Sequence, residues 1–406
     1  MLNPKTNERE LAYVARVTEI LPIEGADRVE IAKINGWTCM VAKGAFKVND
    51  LGIFFEADAK VPEKEPFLFM EKRHYKVKVQ KFFKGTVVSD GLLMSAADFG
   101  WEYIHSAYGD YISTHGGPGS ALEEGDFLTK KLGITYAEAE DNKRKANSAD
   151  KYKRMAQRHG KLFAKQPFRW LMKRSWGKKL LFLFFGRKRD KKNAWPAWVV
   201  KTDEERIQNL TMKIADFQKE KWLPTEKIDG TSTTFTMKRE KFGKHTFYVC
   251  SRNVVFDKPD KKCFYETNVY TEMAEKYDME KVLESLLKAF PNANWVTIQG
   301  ETYGAGIQKR DYSLKEHDFM AFNLIVDKIG RFDTREMAKC LKPYNVPCVP
   351  FFEPIELPGT CDDILELAGG SSVIDGLPRE GLVFRSLDGS KSFKAVDNNF
   401  ILKFHS

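Results

Sequence analysis

No Cys-x-x-Cys pair occurs in this chain, and its seven histidines do not cluster. The six cysteines (Cys39, Cys250, Cys263, Cys340, Cys348 and Cys361) are scattered along the sequence. That pattern argues against a structural zinc site and against the framework of a disulfide-stapled secreted protein. The longest apolar run, Leu180 to Phe185, is far too short to span a bilayer, and Met1-Leu2-Asn3-Pro4-Lys5 lacks the apolar core of a signal peptide. An intracellular protein is expected, with no compartment specified. There is no Gly-x-x-x-x-Gly-Lys-Ser/Thr phosphate loop and no paired His-x-Ser/Thr motif, so nothing resembles an end-healing kinase or phosphodiesterase. No internal repeat is detectable.

The chain does carry an uneven excess of positive charge. Its 406 residues have a net charge of +10, which favours a polyanionic partner over a neutral one. Between Asn142 and Lys192 stand 19 Lys and Arg against 2 Asp, so this stretch holds about +17 and the rest of the chain about −7. The basicity belongs to one insertion. Trp170, Leu171, Trp176 and the run Leu180 to Phe185 interleave with its cations. Three readings stay open for it: a wider nucleic-acid footprint, contact with an anionic membrane, or a solvated segment.

The most informative stretch is Lys227-Ile228-Asp229-Gly230-Thr231-Ser232. In an extended segment residues i and i+2 project to one side, so the ammonium and the carboxylate share a pocket while Gly230 lets the backbone turn away. A nucleophilic lysine must lose its proton, and at an ordinary pKa near 10.4 only roughly one in 2,500 is neutral at pH 7. A pocket of low polarity and a cationic metal–nucleotide nearby raise that fraction.

Further motifs follow in order. Ser251-Arg252-Asn253 comes after the strand-like run Thr246 to Cys250, and Gln299-Gly300-Glu301 ends the run Trp295 to Ile298. Asp318-Phe319-Met320-Ala321-Phe322-Asn323, Arg379-Glu380-Gly381-Leu382-Val383-Phe384 and Ser392-Phe393-Lys394-Ala395 complete the series. The ordered set resembles the covalent nucleotidyltransferases, which comprise the ATP-dependent polynucleotide ligases and the capping guanylyltransferases, and within them the RNA ligases. Lys201-Thr202-Asp203-Glu204-Glu205-Arg206-Ile207-Gln208-Asn209 is similar to a pattern of the same branch. Val17 to Pro62, with Gly36-Trp37 and Lys43 to Asp50, and then Ser89-Asp90-Gly91-Leu92-Leu93, resemble the OB domain of those RNA ligases that carry it before the catalytic domain. Short β-rich runs broken by Gly-Ala-Asp, Asn-Gly and Asn-Asp turns also suit a small closed barrel. About a dozen residues follow Lys394, too few for a C-terminal OB domain, which counts against DNA ligases and capping enzymes.

The resemblance implies roles residue by residue. Lys227 is the nucleophile that takes AMP from ATP, with Gly230 beside it. Asp229 and Glu380 serve a divalent metal, Mg²⁺ or Mn²⁺. Arg252 touches ribose and nucleic-acid phosphate, Glu301 hydrogen-bonds the ribose, Phe322 stacks on adenine and Lys394 contacts the α-phosphate. Two departures stand out: Ser232, where some RNA ligases have asparagine, and Val396, where related ligases carry a second lysine. Lys391 and Lys403 are the nearest substitutes, and neither fits the spacing.

The expected fold is α+β. An OB-fold β-barrel spans 1–133 and a basic helical insertion 134–194, followed by an antiparallel-sheet nucleotidyltransferase domain at 195–406. The Gly116-Gly117-Pro118-Gly119 loop marks the far edge of the barrel, and helices are expected over Tyr265–Phe290, Thr334–Lys342 and Asp362–Leu367. The expected activity is ATP-dependent sealing of RNA 3′-hydroxyl and 5′-phosphate ends, at nicks in duplexes, with no obligate protein partner inferable. The alternatives are a DNA ligase, a GTP-using capping-type enzyme, and a non-catalytic RNA-binding protein on a ligase scaffold.

Overall fold

A computed structural model describes residues 1–83, 86–99, 101–106, 109–114, 123–137, 165–185, 195–256 and 268–404. The Gly116–Gly119 loop, Cys263, the start of the helical stretch expected from Tyr265, and positions 142–164 and 186–192 of the basic insertion lie outside them. The chain divides into two compact units, 1–134 together with 195–406, and 135–194.

The first unit begins with short strands: β1 (Ala12–Arg16), β2 (Glu19–Pro22), β3 (Val29–Ile34), β4 (Trp37–Ala42), β5 (Leu51–Glu56), β6 (Ala59–Lys60), β7 (Gln80–Phe82), β8 (Val87–Ser89), β9 (Gly91–Met94), β10 (Trp101–Ser106) and β11 (Gly109–Thr114). Two three-stranded antiparallel sheets, in the orders β1-β5-β9 and β2-β3-β4, enclose one core. Along β4 the alternation is clean, with Trp37, Cys39 and Val41 buried. β5 is buried along its whole length. Phe54 meets Tyr13 and Trp37 in the core, while Phe55 packs on Phe67 and Phe99. The turn Ser89-Asp90-Gly91 joins the sheets. Asp90 accepts from the Thr38 N–H at 3.0 Å and from its hydroxyl at 2.9 Å, and Ser89 Oγ accepts from the Met40 N–H at 3.1 Å.

The second unit contains β12 (Thr135–Tyr136) and two helices, Gln166–Met172 and Ser175–Phe185. Phe168 packs edge-on against Phe185, and a Cβ on Gly177 would lie 2.3 Å from the Leu171 carbonyl, so only glycine permits this helix pair to approach. Among the described residues no helix is long and apolar enough to cross a membrane.

The remainder of the first unit holds β13 (Lys221–Glu226), β14 (Thr231–Arg239), β15 (His245–Cys250), β16 (Val255–Phe256), β17 (Trp295–Gly304), β18 (His317–Val326), β19 (Gly330–Arg331), β20 (Ile355–Glu356), β21 (Gly381–Ser386) and β22 (Ser392–Val396). They form two antiparallel sheets, β16-β15-β14-β17-β18-β19 and β20-β13-β21-β22. Phe235, Met237, Val296, Ile298 and Leu324 of the six-stranded sheet bury against helices Val269–Lys276, Met279–Ala289 and Thr334–Leu341. Met279, Val282, Leu283, Leu286 and Leu287, at helical spacing, each contribute roughly 1.5–3 kcal/mol by burial. The stretch expected to be one helix to Phe290 is broken at Asp278, whose φ of 46° is left-handed. On the four-stranded sheet, Trp222, Phe384 and Phe393 pack with Ile214, Phe217 and Ile364.

The barrel meets this half of the unit directly. The Leu2 N–H donates to the Asn209 carbonyl at 2.7 Å, and Lys81 Nζ donates to the Ile401 carbonyl at 3.2 Å. A Cβ on Gly36 would lie 2.7 Å from Leu365 Cδ1 and 2.8 Å from Cys361 Sγ, so the barrel's Asn35-Gly36 turn docks only because it has no side chain there. The α+β architecture with an N-terminal OB-fold is thus as expected.

Candidate active site

β13 belongs to the four-stranded sheet and β14 to the six-stranded one. The four residues between them, Lys227 to Gly230, therefore cross from one sheet to the other. The Lys227 N–H continues the ladder by donating to the Gly381 carbonyl at 3.0 Å, and the Glu226 N–H donates to Pro350. Ile228 is buried among Tyr303, Tyr312 and Val349, which anchors the crossover between two polar neighbours. A Cβ on Gly230 would sit 2.3 Å from the Thr302 carbonyl, and this closeness is why glycine follows Asp229.

A cleft of about 390 Å³ opens at this crossover. Lys227, Gly230, Arg252, Glu301, Phe322 and Lys394 all line it. Glu301 reaches it by simple alternation along β17, whose Val296 and Ile298 face the core, while the pairing with β18 jumps from Gln299↔Asn323 to Gly300↔Ala321 and leaves Phe322 as the extra residue of a bulge. Asp229 and Glu380 are not part of the lining. Asp229 is buried beside it, and Glu380 is held against Lys227, with Oε1 2.6 Å from Nζ.

Electrostatics in the cleft are dominated by that contact. Burial acts to lower the Lys227 pKa, but Glu380, Glu301 and Asp229 outweigh it and hold the ammonium above its ordinary value. Burial pushes Glu301 up to about 8, against the opposing pull of the Lys227 ammonium. Lys394 is lowered, first by burial and then by the positive charges of Lys227 and Arg206.

Thr202, Asp203 and Glu204, from the Lys201–Asn209 pattern, line one side of the cleft. Lys394 N–H donates to the Glu205 carbonyl at 2.7 Å, and Thr202 Oγ1 lies 3.1 Å from Ser232 Oγ. Asp203 pairs with Arg252 at 2.7 Å, an exposed bridge at the cleft's edge. Glu204 faces Arg385 at 3.6 Å and Arg331 at 3.9 Å. Arg385 is buried, lowered to about 10 by that burial, and its Nε and Nη1 have no hydrogen-bond partner although it lines the cleft. Its only sequence signal was a cation at the end of a strand running inward from Glu380.

Val396 is buried opposite Gly381 in the four-stranded sheet. Lys391 pairs with Glu220 at 2.6 Å, and neither it nor Lys403 is in the cleft lining. Among the described residues, Lys227 and Lys394 are the lysines that line the cleft.

Among the described residues no group of three or more His, Cys, Asp or Glu side chains is arranged to hold a metal ion. Glu380 Oε2, however, is buried with no hydrogen-bond partner. One or two carboxylate oxygens suit a hard cation that keeps water and phosphate oxygens as its other ligands.

Comparison with known proteins agrees with this geometry. A family model described as RNA ligase matches residues 220–405, and one described as an OB-fold domain matches residues 11–94. Among solved structures, a Naegleria gruberi RNA ligase mutant with ATP and Mn is 25% identical, with a TM-score of 0.62 over 98% of this chain and 100% of that one. A mutant of the same ligase with AMP and Mn is 27% identical, with a TM-score of 0.61 over 98% of this chain and 99% of that one. The same ligase with pyrophosphate is 26% identical, with a TM-score of 0.60 over 98% and 99%. No curated protein gives a match. With an RNA ligase domain behind an OB-fold domain, and a likeness to a solved RNA ligase along nearly its whole length, the chain belongs to the ATP-dependent RNA ligases of the covalent nucleotidyltransferase superfamily, in the branch that carries its OB domain first.

Proposed function

We propose that this RNA ligase seals 3′-hydroxyl and 5′-phosphate ends, at nicks in duplexes, through a covalent adenylate on Lys227. The reading rests above all on one observation: Lys227 stands at the crossover between the two sheets, inside the cleft and in direct contact with Glu380. The Lys227 amine attacks the α-phosphorus of ATP. A P–N bond forms, the bond to the β-phosphate oxygen breaks and pyrophosphate leaves. An oxygen of the RNA 5′-phosphate then displaces the lysine, so the end carries AMP. Finally the 3′-hydroxyl attacks the 5′-phosphorus and AMP departs. Each is an in-line transfer, in which positioning and charge neutralisation supply most of the catalysis.

The chain's residues divide the work. Glu380 is the largest of the charges that hold Lys227 as an ammonium, ahead of Glu301 and Asp229. Drawing Glu380 away removes the largest of these charges and shifts the balance toward burial and the nearby Lys394, which favour the neutral amine. Asp229 and Glu380 are the residues we assign to Mg²⁺ or Mn²⁺, which offsets phosphate charge when bound. Phe322 offers the adenine a ring face, with Val349 and Val383 in the same lining. Glu301, its pKa raised by burial, offers a carboxyl to hydrogen-bond a ribose hydroxyl. Arg252 leaves Asp203 for ribose and RNA phosphate, and Lys394 meets the α-phosphate as a point charge. We assign 1–133 to the RNA-gripping OB domain, 134–194 to the basic insertion and 195–406 to the adenylyltransferase.

An intact-mass measurement tests this reading. Protein incubated with ATP and Mg²⁺ or Mn²⁺ should gain one adenylate, reversed by pyrophosphate and absent in Lys227→Ala. Folded wild-type protein that is not already adenylated and still gains no mass under either metal would point to a non-catalytic binding scaffold. GTP in place of ATP, and 3′-deoxy in place of 3′-ribo ends, separate the capping and DNA-ligase alternatives.

A further inference from the structure

Between β17 and β18, Gln308, Arg310 and Tyr312 alternate along one stretch of chain, and two of them grip the Lys227–Gly230 crossover. The Asp229 N–H donates to Tyr312 Oη at 2.7 Å, and Gln308 Nε2 donates to the Gly230 carbonyl at 2.9 Å. The crossover is thus hydrogen-bonded at two consecutive residues by a segment that belongs to neither strand it joins.

The grip is itself braced. Tyr312 is 2% exposed, its ring edge-on to Tyr303 at 5.1 Å. The Arg310 guanidinium lies 4.3 Å from the Tyr312 ring centroid and 5.2 Å from that of Phe404, and it pairs with buried Asp375 at 2.6 Å. Leaving a guanidinium almost wholly buried on a single carboxylate oxygen is costly, and here the guanidinium packs closest to the Tyr312 ring. The backbone is strained at the same place. Tyr312 and Ser313 have φ of 53° and 58°, two successive side chains in the left-handed region. Asp311 sustains that turn, accepting from the Ser313 N–H at 2.9 Å on its side chain and from the Leu314 N–H at 3.0 Å on its carbonyl. Strain kept by such surroundings marks a place where a side chain must point in one direction.

We propose that Tyr312, braced by Arg310 and seconded by Gln308, is a positioning residue for Lys227. By holding the Asp229 amide it fixes where the preceding lysine presents its amine. This deepens the reading of Lys227 as nucleophile and rests on it. The consequence is specific to particular steps. Forming the lysine adenylate and passing it on both use the Lys227 nitrogen, whereas joining an RNA end that already carries AMP does not.

Tyr312→Phe keeps the buried ring and removes only the hydroxyl acceptor. In single-turnover assays self-adenylation should slow roughly three- to tenfold, the size of one lost neutral hydrogen bond. Joining of chemically pre-adenylated RNA should stay near the wild-type rate, and the thermal midpoint should hold. Amide hydrogen exchange at Asp229, followed by NMR or in a short peptide by mass, should become faster. Equal loss in both reactions would reduce Tyr312 to a structural residue and overturn the proposal, as would unchanged adenylation and unchanged exchange. Absence of any adenylate on the wild type would instead defeat the nucleophile reading. In that case the exchange rate at Asp229 would still decide whether the grip exists.

Discussion

Lys227 is held in the wrong protonation state for attack by the very residue that stands closest to it. Its pKa lies above the ordinary lysine value because Glu380, with Glu301 and Asp229, outweighs the lowering effect of burial. The neutral amine is therefore scarce at pH 7, and self-adenylation should climb with pH through the neutral and alkaline range. Glu380→Gln removes the main counter-charge and lowers the Lys227 pKa. The rise should then begin at lower pH, even as the plateau rate falls with the loss of a carboxylate assigned to the metal. A pH–rate profile of single-turnover adenylation checks this, and an unmoved inflection would separate Glu380 from the ionisation of Lys227. Lys227, Glu301 and Lys394 were legible in the sequence because residue type and order carried them. Their couplings were not. Lys227 and Glu380 are separated by 153 positions, and the exposure that decides whether Glu301 is charged depends on which strands close over it. Arg385 was passed over for the same reason, since nothing local distinguishes a cleft arginine from a strand-end surface one.

At the scale of elements, the site is built from irregularities in otherwise ordinary strands. β14 pairs with β17 without a break from Thr231 to Lys238, but β17 shifts register against β18 at Gln299/Gly300. The strand-like runs Thr246 to Cys250 and Trp295 to Ile298 and the helical stretch within Tyr265 to Phe290 could be read from sequence, because composition and period encode them. The bulge could not, because its extra residue, Phe322, is defined by the pairing of two strands and not by any local period. Gly300→Ala would push a Cβ to 2.3 Å from both the Met320 carbonyl and the Phe319 ring. We expect it to destabilise the protein by about 1–3 kcal/mol through overpacking and to depress adenylation by displacing Glu301. Gly306, with φ of 75° and nothing within 4 Å of its Cβ position, provides the contrast. Gly306→Ala should cost only the backbone term, roughly 1 kcal/mol, with adenylation little changed. Urea unfolding of the two variants distinguishes them, and equal losses would mean that the close approach at Gly300 relaxes freely.

The whole molecule sets a weakly acidic catalytic body against a strongly basic insertion. Of the net +10, residues 142–192 supply about +17 and everything else about −7. An RNA approaching the adenylyltransferase and barrel alone would meet a surface that repels it overall, apart from cations gathered at the cleft such as Lys227, Arg252, Arg385 and Lys394. Long-range attraction must come from the insertion if it comes from this chain. That division was plain in the sequence, because charge counts need no fold. The Gly36 dock that seats the barrel on Cys361 and Leu365 was not, since it pairs two surfaces more than 300 positions apart. The charge argument is open to test without disturbing either core. Lys165, Lys173 and Lys179 are exposed on the helical pair of the second unit. Changing all three to Gln should leave self-adenylation near wild type, because that step involves no RNA. If the three lysines neutralise phosphates, the slope of log binding constant against log salt should fall by about 2–3, with slopes of roughly 0.7 per contact on single strands and 0.9 on duplex as the guide. Titrations of nicked duplex RNA across salt concentrations measure it. An unchanged slope would remove RNA from the insertion's surface, and its cations, with Trp176, Leu180, Leu183 and Phe184 exposed beside them, would then need another anionic partner.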